Sequence, residues 1–333
     1  MNLFALANKA ITAFAGPLDR NVVIFMLHGV HDDEMEKMCR PPKSSMHIGA
    51  LKKAIRLMKR YYTIISLDDA VEMLGSRKQW RKKCVVLTFD DSLKSQFLIT
   101  MPLFEELQVT GTVFVSTEAV DLQVPYWWRR LEYAFEKREK ETLDIPSLSI
   151  RCGKIDAAAE KKLLRSIKDS LKKADSAQRE SIVSMVESQL GVSVEETRKN
   201  DPFAQLLTWS ELKALHDGGM TIGNHSVTHA NLAAIPEEDL RYEITASTRA
   251  IKGKCGIETR HFAYPYGEYT EEVRNELIRN GYSSAVTTES PGWNNRMTDP
   301  YALRRFTMPA DPDKIPYSIS GLKEQVRKLL YRK

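Results

Sequence analysis

Three stretches hold residue types that could do chemistry together. The first, Val85-Val86-Leu87-Thr88-Phe89-Asp90-Asp91, is an apolar run ending in two adjacent carboxylates. Neighbouring strand side chains point to opposite faces, so two acids in a row are costly to bury unless one holds a metal or manages a proton. Alternatively, Asp91 caps the segment Asp91-Ser92-Leu93 as an N-cap acid would. The second stretch is His225-Ser226-Val227-Thr228-His229, with two histidines at i and i+4. At the end of a strand entering a turn of helix, both rings can face one ion, and neutral imidazole is a frequent ligand for zinc and other transition metals. Two histidines and a carboxylate make three protein ligands and leave positions open for water and substrate, as a hydrolytic metal needs. The third stretch is Phe262-Ala263-Tyr264-Pro265-Tyr266-Gly267. Its proline and glycine fix a tight loop that can turn a backbone N–H toward a developing oxyanion, although Pro-x-Gly is also an everyday turn.

These residues need strands to carry them. Val22 to His28 reads as an apolar strand that ends in histidine, followed by helical periodicity over 47–62 and a short strand at 64–66. Ser66 and Asp69 have the spacing of a helix N-cap and its capping acid, and that helix runs to about Gly75. After the Asp-Asp strand comes a helical segment to about Gln108, interrupted by Pro102. Strands at 112–115, 220–225, 261–264 and 284–287 alternate with helices at 236–252 and 269–279. Mostly unbroken apolar strands alternating with helices imply a parallel sheet covered on both faces, either an open doubly wound sheet or a closed barrel. His28, Asp90, Asp91, His225 and Pro265 all fall just after strands, where barrel sites form. From Pro125 to Phe203 the rhythm breaks into charged helical sequence with no convincing strand, opening on Tyr126-Trp127-Trp128. Large aromatics need burial or a ligand, so these tryptophans either anchor the insertion or line a sugar-binding cleft. The lysines of 161–173 read as a solvated helical face.

The composition is that of an ordinary globular protein: 333 residues, 42% hydrophobic, 28% charged. A net charge of +5 (49 basic against 44 acidic residues) is too small to argue for a nucleic-acid partner. Cys39, Cys84, Cys152 and Cys255 form no CxxC pair and suggest free thiols in a reducing compartment. With no membrane-span or signal-peptide pattern, a cytoplasmic protein is expected. Both ends nevertheless look amphipathic: a helix over residues 1–20, and a basic one over 311–333 containing Leu322, Val326, Leu329 and Leu330. Such a helix either docks on its own domain or makes peripheral contact with an anionic membrane surface.

Together, Thr88 to Asp91, His225 to His229 and Pro265 to Gly267 resemble the three motifs of the polysaccharide deacetylase family, the carbohydrate esterases with a NodB-like domain. The resemblance covers roughly residues 20 to 310 and implies a distorted (β/α)7 barrel over 21–310, interrupted by a helical insertion over 125–203. It implies that Asp91, His225 and His229 hold one divalent metal, usually zinc, and that Asp90 is the general base. The Tyr266 N–H would share the oxyanion, and Tyr264, Pro265, Trp127 and Trp293 would contact the sugar. The implied reaction is hydrolysis of an N-acetyl group on an amino sugar of a poly- or oligosaccharide. The alternatives are deformylation or deacylation of a lipid-linked amino sugar at the inner membrane surface, and an inactive carbohydrate-binding domain. Two family features are missing. The arginine that orients the base is replaced by Ala263, with Arg260, Arg304 and Arg305 as candidate substitutes, and the late Leu-x-His acid is absent. His28, in Met26-Leu27-His28-Gly29-Val30, is expected as that acid, with His31 behind it; His47, His216 and His261 are read as structural or surface residues.

Overall fold

The computed structural model describes residues 21–76, 83–172 and 174–319. The expected N-terminal helix over 1–20 and the basic part of the C-terminal helix, from residue 320 onward, lie outside the described residues. Seven strands form the frame: β1 (Val22–Leu27), β2 (Cys84–Phe89), β3 (Thr112–Val115), β4 (Thr221–Asn224), β5 (His261–Ala263), β6 (Ser284–Val286) and β7 (Phe306–Thr307). They run parallel in that order from β1 to β6, with Val22 opposite Cys84 and Leu27 opposite Phe89. The sheet curls until its ends meet: Leu303 bridges Val286 of β6, and β7 pairs with the free side of β1 at Phe25 and Met26. This is a distorted α/β barrel.

The strands are apolar throughout because both faces are covered. Outward residues Val23, Phe25, Leu87, Phe89, Val113 and Val115 pack under three helices. Those are α1 (Ile48–Tyr61), α3 (Met101–Leu107) and α9 (Trp209–Asp217). Inward residues Val22, Ile24, Val86, Phe114, Ala263 and Val286 meet Leu67, Ala70 and Leu74 of α2 (Leu67–Gly75). Ser66 caps α2 by accepting from the Asp69 N–H at 3.0 Å. Pro102 lies in the first turn of α3, where its missing N–H costs nothing; the unevenness expected there is a π-helical turn at Gln96–Thr100.

The insertion contains α5 (Trp127–Lys137), α6 (Ala157–Leu171), α7 (Ser176–Leu190) and α8 (Val194–Asn200), after the short barrel helix α4 (Thr117–Leu122). It has an apolar cluster of its own, including Leu131, Phe135, Ile167, Leu171, Val183 and Val186. It also contains strands, contrary to the sequence reading: Leu143–Ile145 and Ile150–Cys152 form an antiparallel hairpin, too short at three residues each to show a period. Helices α10 (Glu237–Cys255) and α11 (Glu271–Arg279) close the outside of β5. No helix among the described residues is long and apolar enough to cross a membrane.

Two buried arginines brace the insertion internally. Arg129 bonds both Asp201 oxygens at 2.5 and 2.9 Å, and Arg130 bonds both Glu187 oxygens at 2.9 and 2.6 Å. Removing one partner of such a pair strands a buried charge. Arg129→Met is therefore expected to lower stability in urea denaturation by about 3–5 kcal/mol, and adding Asp201→Leu to recover most of the loss.

Candidate functional site

Strand alternation delivers part of the site. Counting inward from Val22 and Ile24 on β1 brings Met26 and then His28 to the upper rim, and Val86 on β2 leads to Thr88 and Asp90. By the same count Asp91 would face outward. It does not, because its backbone takes a left-handed conformation (φ 74°), as does that of Ser92 (φ 51°). The strand breaks there, and the Asp91 carboxylate turns back over the barrel mouth. Asp91 caps no helix.

The histidine pair sits on a loop rather than the helical turn expected. Ser226 (φ 69°) and His229 (φ 59°) are both left-handed, which excludes a regular turn of α-helix. Buried Glu243 of α10 holds this loop by accepting from the Val227 and Thr228 amides and the Thr228 hydroxyl, at 2.8, 3.0 and 2.6 Å. Asn224 Oδ1 accepts from the Ser226 N–H at 2.8 Å. Tyr266 (φ 60°) is left-handed as well, and at Gly267 (φ 79°) a Cβ would lie 2.1 Å from Thr288 Oγ1, so glycine is required. Five of the eight non-glycine residues with positive φ among those described thus crowd one rim, the usual place for strained backbone.

Asp91 Oδ1 lies 3.7 Å from His225 Nε2 and 3.4 Å from His229 Nε2, and all three side chains are buried. His225 donates its Nδ1–H to the Ala263 carbonyl at 2.7 Å, which leaves the lone pair on Nε2, facing Asp91. Burial lowers the His225 pKa to about 4, so the ring is neutral at pH 7. Burial alone would raise the Asp91 pKa, but His28, His229 and His225 around it bring it well below the usual carboxylate range. An ionised, buried carboxylate beside two imidazole nitrogens, with the three candidate donor atoms within 4.8 Å of one another, fits a divalent cation.

Asp90 is held differently. Arg305, itself buried, grips both its oxygens at 2.8 Å, donates to the Thr287 carbonyl and Thr88 Oγ1, and lies over the Phe114 ring. Burial would raise the Asp90 pKa; the charge and hydrogen bonds of Arg305, together with His225 and His28, outweigh it and hold the group ionised. Of the three candidate arginines, Arg305 is the one on Asp90, because it points inward two residues beyond the Leu303 bridge. Gln96, which the sequence reading missed, donates to the carbonyls of Asp90 (2.6 Å) and His28 (3.2 Å) and so locks the two strand ends together. Nothing local in the sequence marks it.

A cleft of about 310 Å³ opens over these groups, lined among others by His28, Asp90, Asp91, Trp127, Trp128, His225, His229 and Tyr266. His28 Nε2 stands 3.9 Å from Asp91 Oδ2. Several assignments change. Trp293 is not in this cleft: it pairs with Val23 near the start of β1, at the far end of the barrel, and bonds the Ile319 carbonyl. Tyr264 borders the cleft, but its buried ring stacks on Tyr269 and its hydroxyl donates to Tyr301, so the side chain is not free for a sugar. Pro265 is buried and shapes the turn. Trp127 both lines the cleft and packs in the insertion core, while Trp128 stacks on Tyr126 and meets the His229 ring 5.0 Å away. His31 is occupied by Ser45 and Glu36, and His261 by Ser284 and Asp68 below the sheet. Lys168 and Lys172 line the cleft rather than a purely solvated face.

Residues 77–285, well over half of the chain, match the profile of the family described as polysaccharide deacetylase. The chain belongs to that family. Among curated proteins it is similar to YxkH of Bacillus subtilis, named as a polysaccharide deacetylase, with 30% identity over 99 residues, 30% of this chain and 35% of that one. It also resembles a chitooligosaccharide deacetylase of Azorhizobium caulinodans, with 33% identity over 64 residues, 19% of this chain and 30% of that one. The matched stretch thus spans only about a third of either relative. Among solved structures the fold is similar to the Streptococcus pyogenes deacetylase PplD in complex with acetate (TM-score 0.58, 17% identity, 90% of this chain and 96% of that one). IcaB from Ammonifex degensii is comparable (TM-score 0.58, 15% identity, 90% and 97%).

The Arg305 pair carries a pH signature. In the wild type the lowered Asp90 pKa contributes stability above the usual carboxylate pKa, and this is lost as pH falls through the folded value. Arg305→Met leaves burial, which raises the pKa, opposed only by His225 and His28, so the variant carries a poorly compensated charge as pH rises. The stability gap between wild type and Arg305→Met in urea denaturation is expected to widen from pH 4.5 to pH 7, reaching about 3–5 kcal/mol.

Proposed function

We propose that this protein is a metal-dependent hydrolase that removes the N-acetyl group from an amino sugar of a poly- or oligosaccharide, releasing acetate and a free amine. The observation that carries this reading is the division of two adjacent acids: Asp91 faces two imidazoles, while Asp90 is clamped by Arg305 at 2.8 Å. Family membership and a chitooligosaccharide deacetylase among its relatives support an N-acetylated carbohydrate as substrate.

Asp91, His225 and His229 would hold the cation, taken here to be zinc from the two-histidine, one-carboxylate donor set. Such an ion, when bound, acts as a Lewis acid that polarises an acyl oxygen and acidifies water. Asp90, kept ionised by Arg305, takes the proton of the attacking water as its oxygen adds to the acyl carbon. The Tyr266 amide, on a left-handed turn at the edge of the cleft, would donate to the oxyanion that forms. His28 gives a proton to the amine as the C–N bond breaks. Gln96 keeps base and acid in register by bonding both of their carbonyls. A cytoplasmic location remains part of the proposal, to be checked by cell fractionation.

Asp90→Asn is expected to lower acetate release by roughly 10²–10⁴-fold while metal content by elemental analysis stays at the wild-type level; full activity would remove Asp90 as the base. Asp91→Ala and His229→Ala should lose the metal as well as turnover. His28→Ala should slow turnover by about 10²-fold with metal retained, and unchanged kinetics would exclude it as the acid.

A further inference from the structure

The wall of the cleft opposite the barrel belongs to the insertion, and its charge is unexplained by hydrolysis of a neutral sugar. Lys168 and Lys172 lie four residues apart at the end of α6, and both line the cleft that contains Asp90, Asp91 and the two histidines. Among the described residues, the carboxylates in that lining are Asp90, matched by Arg305, and Asp91, which faces the imidazoles. Lys168 bonds Glu132 at 2.5 Å, which matches its charge, since Arg129 is already held by Asp201. Among the described residues Lys172 has only a 3.9 Å contact with Asp169, and its side chain is 53% exposed. Lysines at a helix C-terminus also complement its carbonyls. Lysines facing bulk solvent would do that equally well, so this does not account for both lining the cleft.

Resting on the deacetylase reading, we propose that the acylated sugar carries a phosphate or diphosphate group and that Lys168 and Lys172 grip it. Two ammonium groups one helical turn apart offer several N–H donors, with Lys172 supplying the less-compensated charge. These match the oxygens and the double charge of a phosphate better than a single carboxylate. The aromatic surface of Trp127 and Trp128 adjoins them in the same cleft.

Calorimetric titration of the zinc-loaded full chain with N-acetylglucosamine 1-phosphate, methyl N-acetylglucosaminide and a glucuronate-linked N-acetylglucosamine disaccharide tests this. The phosphorylated sugar is expected to bind about tenfold tighter than the neutral one. The preference should vanish in Lys172→Glu and persist in the surface control Lys213→Glu. Equal affinity for the neutral sugar, equal affinity for the uronate, or a phosphate preference that survives Lys172→Glu would each overturn the proposal; the last would place the phosphate on the metal. Acetate release is followed in parallel on the same sugars. Release without phosphate preference in binding overturns the anion site alone. Phosphate preference without release from any sugar leaves the anion site standing and removes the deacetylase reading.

Discussion

The site depends on one buried ion pair. Arg305 and Asp90 are joined by two 2.8 Å hydrogen bonds inside the barrel, away from water that would otherwise screen them. The same guanidinium bonds Thr287 just past β6 and Thr88 on β2, and covers Phe114 of β3. Arg305 immediately precedes β7, the short strand that closes the sheet on β1. The contact that keeps Asp90 ionised therefore also ties the last segment of the barrel to its centre. Barrel closure and the electrostatics of the rim share one set of bonds.

Around that pair, backbone conformation separates groups that are adjacent in sequence. Asp90 follows the strand's alternation and points inward. Asp91 escapes it through a left-handed turn and faces His225 and His229. The histidine loop needs similar support, supplied from a distance by Glu243 and Asn224. Packing elsewhere offsets the strain of five left-handed residues, and the result is a set of side chains aimed before any ligand arrives.

The insertion completes the site. Tyr126 and Trp128 pack against the His229 ring from its open side, and α6 brings its lysines to the same opening. Its own core and its Arg129 and Arg130 pairs make it rigid enough to serve as a wall.

Much of this could be read from the residues. Strand–helix alternation implied a parallel sheet covered on both faces, the family resemblance made it a barrel, and the acid pair, the histidine pair and the Pro-x-Gly loop marked the rim, because short-range spacing and strand-end position are local properties. The early histidine could be placed too, since the first and last strands of a barrel are neighbours. Other features depended on long-range contacts that no local pattern encodes. Three arginines were equivalent as candidates, and only the register of the Leu303 bridge put Arg305 on Asp90. Trp293 resembled any other aromatic available to a sugar until its pairing with β1 placed it at the far end of the barrel. Gln96 had no signature, because its role is to join two carbonyls 68 and 6 residues away. The sequence by itself determined which residues could do chemistry and the strand ends that carry them. Tertiary structure alone decided which charge faces which and which surface walls the cleft, because those depend on how distant segments close on one another.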